Sequence, residues 1–399
     1  MTTQPDRHAT VVAAFTAALI PVSIVASRGI VVLLVAAALG AAAVAWRARR
    51  PPRAPGRAVA ALIVALLVWA TTTALWSVTP VGSLALAARL AALVAAGLLL
   101  HGVVETLNDA ARARAGRWLV GGFVAGLAFV AAEVALGFPI FMAIKPELSS
   151  AAEAQVRFNR GATAMVMVCW VAAAVPWRAG RRWAALALPA GLGLLLPFLS
   201  SLSAGLGLLA GAATAALALT HRRAGRAVLI AAVLAAFIGS PIAAKTFYAW
   251  DWQDARWLPL SAEHRVEIWH KTLQRIEERP ILGWGLDSAR VISRMPTEIE
   301  PSGRSPAGLH PHNAPLQILE ELGLVGWSLA LALLIAVALR IERLPAPSRV
   351  FAQATFVSAL AMSCTAYGIW QGRWLGLFLA VGALVPLAAL GPWFDIALD

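Results

Sequence analysis

Long apolar runs, almost free of charge, recur along nearly the whole chain, and they constrain the fold more than any other feature of the sequence. Reading between charged breaks gives twelve of them, at about 11–26, 29–46, 58–76, 84–104, 118–137, 161–177, 183–199, 204–220, 227–244, 322–339, 350–370 and 374–391. A membrane-spanning helix needs roughly 20 apolar residues, and most of these runs approach that length. They do not alternate with period two, as the strands of an outer-membrane barrel would. Hydrophobic residues make up 60% of the 399 and charged residues 13%, against roughly 25% charged in soluble domains. A soluble fold could not cover so much apolar surface with so few charges. The fold class expected is therefore an all-α polytopic membrane protein with about 12 transmembrane helices. Residues 1–244 would carry the first nine, 245–313 a long helical outer loop, and 314–399 the last three. The first run lacks a clear small-residue cleavage site and another follows at once, so it reads as a span and not as a signal peptide.

The formal net charge of +13 invites a nucleic-acid reading, but the placement of the cations argues for topology. Alternate short loops hold 18 Lys and Arg, among them Arg47, Arg53, Arg112, Arg178, Arg222 and Arg340. The opposite side holds 14, of which 9 lie in the long loop 245–313, where the positive-inside rule loses force. The short loops there carry only Arg28, Lys145, Arg157, Arg160 and Arg373. Both termini are expected in the cytoplasm and loop 245–313 outside, with no nucleic-acid partner. Cys169 and Cys364 fall inside expected spans and read as packing residues. The sequence carries no CxxC, HExxH or Walker pattern, so neither a metal nor a cofactor is expected.

Chemistry is expected in the long loop. Trp250, Trp252 and Trp257 open it and suit a membrane–water interface. Residues 261–279 read as a helix, with Ser261 as N-cap and His264 where a capping box would place Glu. Val266, Trp269, Leu273 and Ile276 give one apolar stripe, beside which lies Arg265. Asn313 is a good N-cap for a further helix with Pro315 in its first turn. His312 then precedes a positive helix end, whose field keeps the imidazole neutral. A neutral His there is a general-base candidate; the plainer reading is a surface His in a turn.

His312-Asn313, followed after nine residues by Gly323-Leu-Val-Gly326, resembles the signature of the bacterial O-antigen ligase family. Trp76-Ser-Val-Thr-Pro80, Asn159-Arg160-Gly161 and Arg265…Trp269…Pro280-Ile-Leu-Gly283-Trp-Gly285 agree with that superfamily in order and location. The resemblance implies a GT-C-like glycosyltransferase of the bacterial inner membrane, monomeric and surrounded by membrane lipids, with its active site in the periplasm. It would move a glycan, with inversion and without metal, from an undecaprenyl-diphosphate-linked donor to a hydroxyl of a lipid A–core acceptor. It implies His312 as general base and Arg265 and Arg160 on the diphosphate, because guanidinium forks suit phosphate oxygens. Arg157 lies three residues from Arg160 and is a further candidate on the diphosphate. Supporting roles fall to His310, Asn313, His264, Trp269 and Glu321, while Trp76 and Pro80 read as structural. Arg89 is added from the residues alone as a further diphosphate candidate, since a charge inside the fourth span should face a polar cavity, with snorkelling to the outer surface as the alternative. A polymerase joining repeat units would share this chemistry and differ in its acceptor. A lipid or solute transporter fits less well, because no repeated halves are visible.

Overall fold

The computed structural model describes residues 7–49, 51–294 and 310–388, so residues 295–309 of the long loop, Arg304 among them, lie outside the described residues. The described residues form helices and connections, with no strand among them. In chain order the helices are α1 (Arg7–Val25), α2 (Gly29–Arg47), α3 (Arg57–Thr72), α4 (Pro80–Thr106), α5 (Asp109–Leu136), α6 (Pro139–Ile144), α7 (Ala151–Arg178) and α8 (Arg182–Leu195). They continue with α9 (Leu202–Thr220), α10 (Arg222–Phe237), α11 (Gly239–Ala249), α12 (Leu260–Glu278), α13 (Ser288–Ile292), α14 (Ala314–Glu342), α15 (Ser348–Ser363) and α16 (Gly372–Leu384). This is an all-α polytopic membrane protein. Each of the twelve expected runs overlaps helix among the described residues, but they are not equivalent. Among the described residues nine helices are long and apolar enough to cross a membrane, and the α10–α11 pair makes a tenth if its 55° bend lies within one span. The last two runs are shorter helices, of 16 and 13 residues.

The buried core runs along α7, whose residues from Gly161 to Ala174 are without exception buried. α1, α5, α8, α9, α15 and α16 pack around it. Outward-facing Val, Leu and Ile side chains on α2, α3, α9 and α10 are exposed, as expected of surfaces that meet lipid. The basic loop ends gather at one end of the bundle. Arg53 lies 3.8 Å from the buried Glu105 carboxylate, Arg112 donates to the Glu105 carbonyl, and Arg222 donates to the Glu342 carbonyl.

Three boundaries differ from the sequence reading, the first being the eleventh run, read to 370, whose helix ends at Ser363 and leaves 364–371 as loop. The ninth run does not end at 244, because α11 carries helix on to Ala249 after the bend. α12 begins at Leu260 with Pro259 as its cap residue and without a side-chain cap bond, so Ser261 sits inside the helix and the capping box with His264 does not form. Pro259 explains the shift, since a proline just outside a first turn has no N–H to satisfy and an already extended backbone. The apolar stripe holds: Val266 and Ile276 are buried, and Trp269 and Leu273 pack with Ile276 on Leu316 and Leu319 of α14. α12 is thus docked on the bundle and is not merely laid along a membrane surface.

Candidate active site

A clasp built on glycines positions the site. α14 is broken at Gly323, whose φ of 64° and ψ of −171° leave the helical region. The break turns out the carbonyls of the preceding turn. Trp284 N donates to Glu320 O at 3.0 Å and Gly285 N to Glu321 O at 2.8 Å, while the Trp69 indole donates to Leu322 O at 2.9 Å. Downstream, Leu324 N donates to Pro280 O at 2.9 Å, and the Trp76 indole donates to Gly283 O at 3.2 Å. The Pro280–Gly285 stretch, Trp76 and the Gly323–Gly326 motif are therefore one interlocked unit that unites α3, α12 and α14.

Two buried carboxylates complete the clasp. Glu320 pairs with Arg275 of α12 at 3.0 Å, with the two side chains 0% and 8% exposed. Glu321 accepts from Asp287 N at 2.6 Å, from the Trp370 indole at 2.7 Å and from Gln317 Nε2 at 3.0 Å. Gln317 in turn accepts from Ile369 N at 3.0 Å. Glu321 thereby ties the Asp287 turn and the α15–α16 loop to α14. This is a positioning arrangement, and it fixes the loop that carries the His312 partner.

The His-Asn turn sits directly above that loop. Asn313 caps α14 by accepting from Leu316 N at 3.1 Å, and its amide donates to Ser240 Oγ of α11 at 3.1 Å. The Trp269 indole donates to Pro311 O at 2.7 Å, so α12 holds the turn from the other side. His312 lies in the left-handed region, with φ 54°, a strained conformation for a residue with a side chain. Its Nδ1 is 2.5 Å from Ala366 O. A carbonyl only accepts, so Nδ1 carries the hydrogen and, in the neutral ring, Nε2 holds the free lone pair. Burial lowers the His312 pKa first, the Ala366 carbonyl opposes the shift, and the Arg265 charge adds to it. Burial is thus the leading cause of neutrality, ahead of the helix end to which the sequence pointed. His310 stacks near His312, with ring centroids 4.4 Å apart, and its Nε2 lies 3.3 Å from the Gln371 amide.

Tyr367 connects the arginines. Burial lowers the Arg265 pKa and the Tyr367 phenol opposes it. Arg160 lies in electrostatic range of the same phenol and of Arg373, Arg157 and Arg28. Arg373 stacks over the Tyr367 ring at 4.2 Å and donates to Gln371 Oε1 at 2.7 Å. Arg265, Arg160 and His312 therefore meet around the 366–373 loop. Of the other candidates, Arg157 is 3.5 Å from Glu153 and lines a pocket with Lys145 and Arg160. Arg89 acts on Asp287, whose carboxyl is raised by burial against the pull of Arg290 and Arg89. His264 is exposed on α12. The sequence reading missed Tyr367, Gln371 and the Ala366 carbonyl, which no local pattern marks. Arg373 did leave a signal, as one of the few cations in the short outer loops.

The fold and this site define a polytopic all-α membrane protein whose broken helix begins at a capped His-Asn turn facing half-buried arginines. Residues 187–331 match the family model described as O-antigen ligase, the family that the His-Asn and Gly motifs resemble. The matched stretch contains Arg265, His310, His312, Asn313 and the Gly323–Gly326 clasp, but not Arg160 or the 366–373 loop. Two curated relatives are each described as a "putative polysaccharide ligase". The one from Rickettsia felis is 29% identical over 57% of this chain and 58% of its own length. The one from Rickettsia conorii is 37% identical over 32% of each chain. The alignments thus span from about a third to under two thirds of these relatives.

Proposed function

We propose that this protein is a glycosyltransferase of the ligase type, moving a glycan from undecaprenyl diphosphate to a sugar hydroxyl of lipid A–core at the periplasmic face of the inner membrane. The observation that carries the reading is the His312 ring. Its Nδ1–H is committed to Ala366 O, which leaves Nε2 basic beside a half-buried Arg265.

In the proposed reaction His312 Nε2 takes the proton of the acceptor hydroxyl as its oxygen attacks the anomeric carbon. The bond from that carbon to the diphosphate oxygen breaks on the opposite face, and the electron pair leaves with the lipid diphosphate. Attack from the face opposite the leaving group inverts the centre. Arg265 and Arg160 hold the developing negative charge, and Arg373 joins them through Tyr367. Such preorganised cations stabilise charge at little reorganisation cost. Arg265 also destabilises the resulting imidazolium, which favours return of the proton to water. Arg89 and Arg157 stand outside this grip in the proposal.

The test is transfer by purified protein with a lipid-linked donor and lipid A–core. His312→Gln should lose roughly 10²–10⁴-fold in rate, the usual share of a general base. Substantial transfer by that variant would refute the assignment, since an amide cannot accept the proton.

A further inference from the structure

The short loops at the active-site end of the bundle carry few cations, and those few converge. Arg160 lies in electrostatic range of Arg28, Arg157 and Arg373, and with Arg157 and Lys145 it lines one pocket. The other four cations of those short segments, Arg28 between α1 and α2, Lys145 between α6 and α7, Arg157 in α7 and Arg373 at the start of α16, are thus gathered around Arg160. Glu147 on the rim and Glu153 beside Arg157 are the facing carboxylates, so positive charge remains in excess. Like charges brought together repel, and an arrangement of this kind is relieved by a bound anion, which guanidinium and ammonium groups recognise through charge-assisted hydrogen bonds.

Arg373 turns toward Tyr367 and the His312 loop. Lys145 and Arg157 instead face a small pocket of about 50 Å³, partly open to solvent, whose lining also includes Ile24, Phe141 and Leu148. A small basic pocket at the end of membrane-spanning helices suits one phosphate group of a lipid head, held by charge-assisted hydrogen bonds while the rest of the lipid stays outside. The transfer reaction needs two membrane-anchored substrates. The donor's diphosphate belongs with Arg265 near His312, so the second basic pocket is free for the other lipid.

We propose that the Lys145–Arg157–Arg160 pocket binds the anionic, phosphate-bearing head of the acceptor lipid, with Arg160 standing between the two substrates. This rests on the ligase reading above. The test uses the full chain in phosphatidylcholine nanodiscs, with lipid A–core either intact or stripped of its phosphates. Lys145→Glu should raise the acceptor concentration for half-maximal transfer by about tenfold or more, the loss of one charge-assisted contact, without moving the donor's. Lys145→Arg should remain close to the parent. Dephosphorylated acceptor should show the same weakening with the unaltered protein, an arm that needs no variant to fold. An unchanged acceptor requirement in both arms, or a shift in the donor's instead, would overturn the assignment. Binding of lipid A–core without donor, compared between the parent and Lys145→Glu, separates the two ideas. Binding that depends on Lys145 in a protein that transfers nothing refutes the ligase reading and keeps the pocket.

Discussion

His312 gains its proposed chemistry from one hydrogen bond and one burial. The Ala366 carbonyl fixes which nitrogen is basic, and burial with the Arg265 charge lowers the pKa below its ordinary value of about 6.5. The sign is plain: a general base works deprotonated, so the rate should rise with pH, level off below the ordinary imidazole range, and stay flat through pH 7. Arg265→Ala should weaken transfer through loss of the diphosphate contact and also move that rise to higher pH, because a charge that opposed the imidazolium is gone. Arg265→Lys should restore only part of the rate, since an ammonium keeps the charge without the fork. A pH–rate profile in Arg265→Ala superimposable on that of the unaltered protein would separate the two residues. Sequence alone pointed to His312, Arg265 and Arg160 because each stands in a short motif. It did not reveal Tyr367, Gln371 or Ala366, which act by position in a loop far along the chain. It set Arg89 against a polar cavity, and in the bundle that guanidinium lies within electrostatic range of the Asp287 carboxyl.

At the scale of elements, the family motifs divide into chemistry and carpentry. Gly323 and Gly283 approach so closely that a Cβ on Gly323 would stand 2.2 Å from Ile281 O, and one on Gly283 would stand 2.5 Å from Glu321 O. Both also have positive φ. Gly323→Ala should therefore break the clasp, with a backbone cost of order 1–3 kcal/mol before the clash is counted. Lower thermal stability in detergent and loss of transfer should come together. Glu320→Ala tests the same unit differently, by leaving the Arg275 charge buried beside a hole, and breaking such a pair costs about 3–5 kcal/mol. Normal stability in both variants would mean that the clasp does not hold the site. The apolar stripe of α12 and the Asn313 cap were legible because they follow helical spacing and cap chemistry. The break at Gly323 was not, since a lone glycine in an apolar run is compatible with an unbroken helix until its partner loop is known.

For the whole molecule, the twelve apolar runs were legible as helices from hydropathy alone, but their standing as spans was not. The bend between α10 and α11 and the short α15 and α16 depend on neighbours that one-dimensional reading cannot see. Sidedness follows from charge. The loops bearing Arg53, Arg112 and Arg340 converge on one residue, Glu105, so the Arg-rich connections occupy one end of the bundle, and the His312 turn with α12 is expected at the other. The positive-inside rule assigns the Arg-rich end to the cytoplasm. Reporter fusions after Arg53, Arg223 and Pro347 should accordingly read cytoplasmic, and a fusion after Trp257 should read periplasmic. The fusion at Arg223 is the most informative of these. It follows α9 and precedes the bent α10–α11 pair, so it fixes whether that pair carries the chain across to the side of α12. A periplasmic signal there would place α12 and His312 in the cytoplasm, where no lipid-linked glycan bound for the periplasm awaits transfer, and the proposed reaction would fall with the topology.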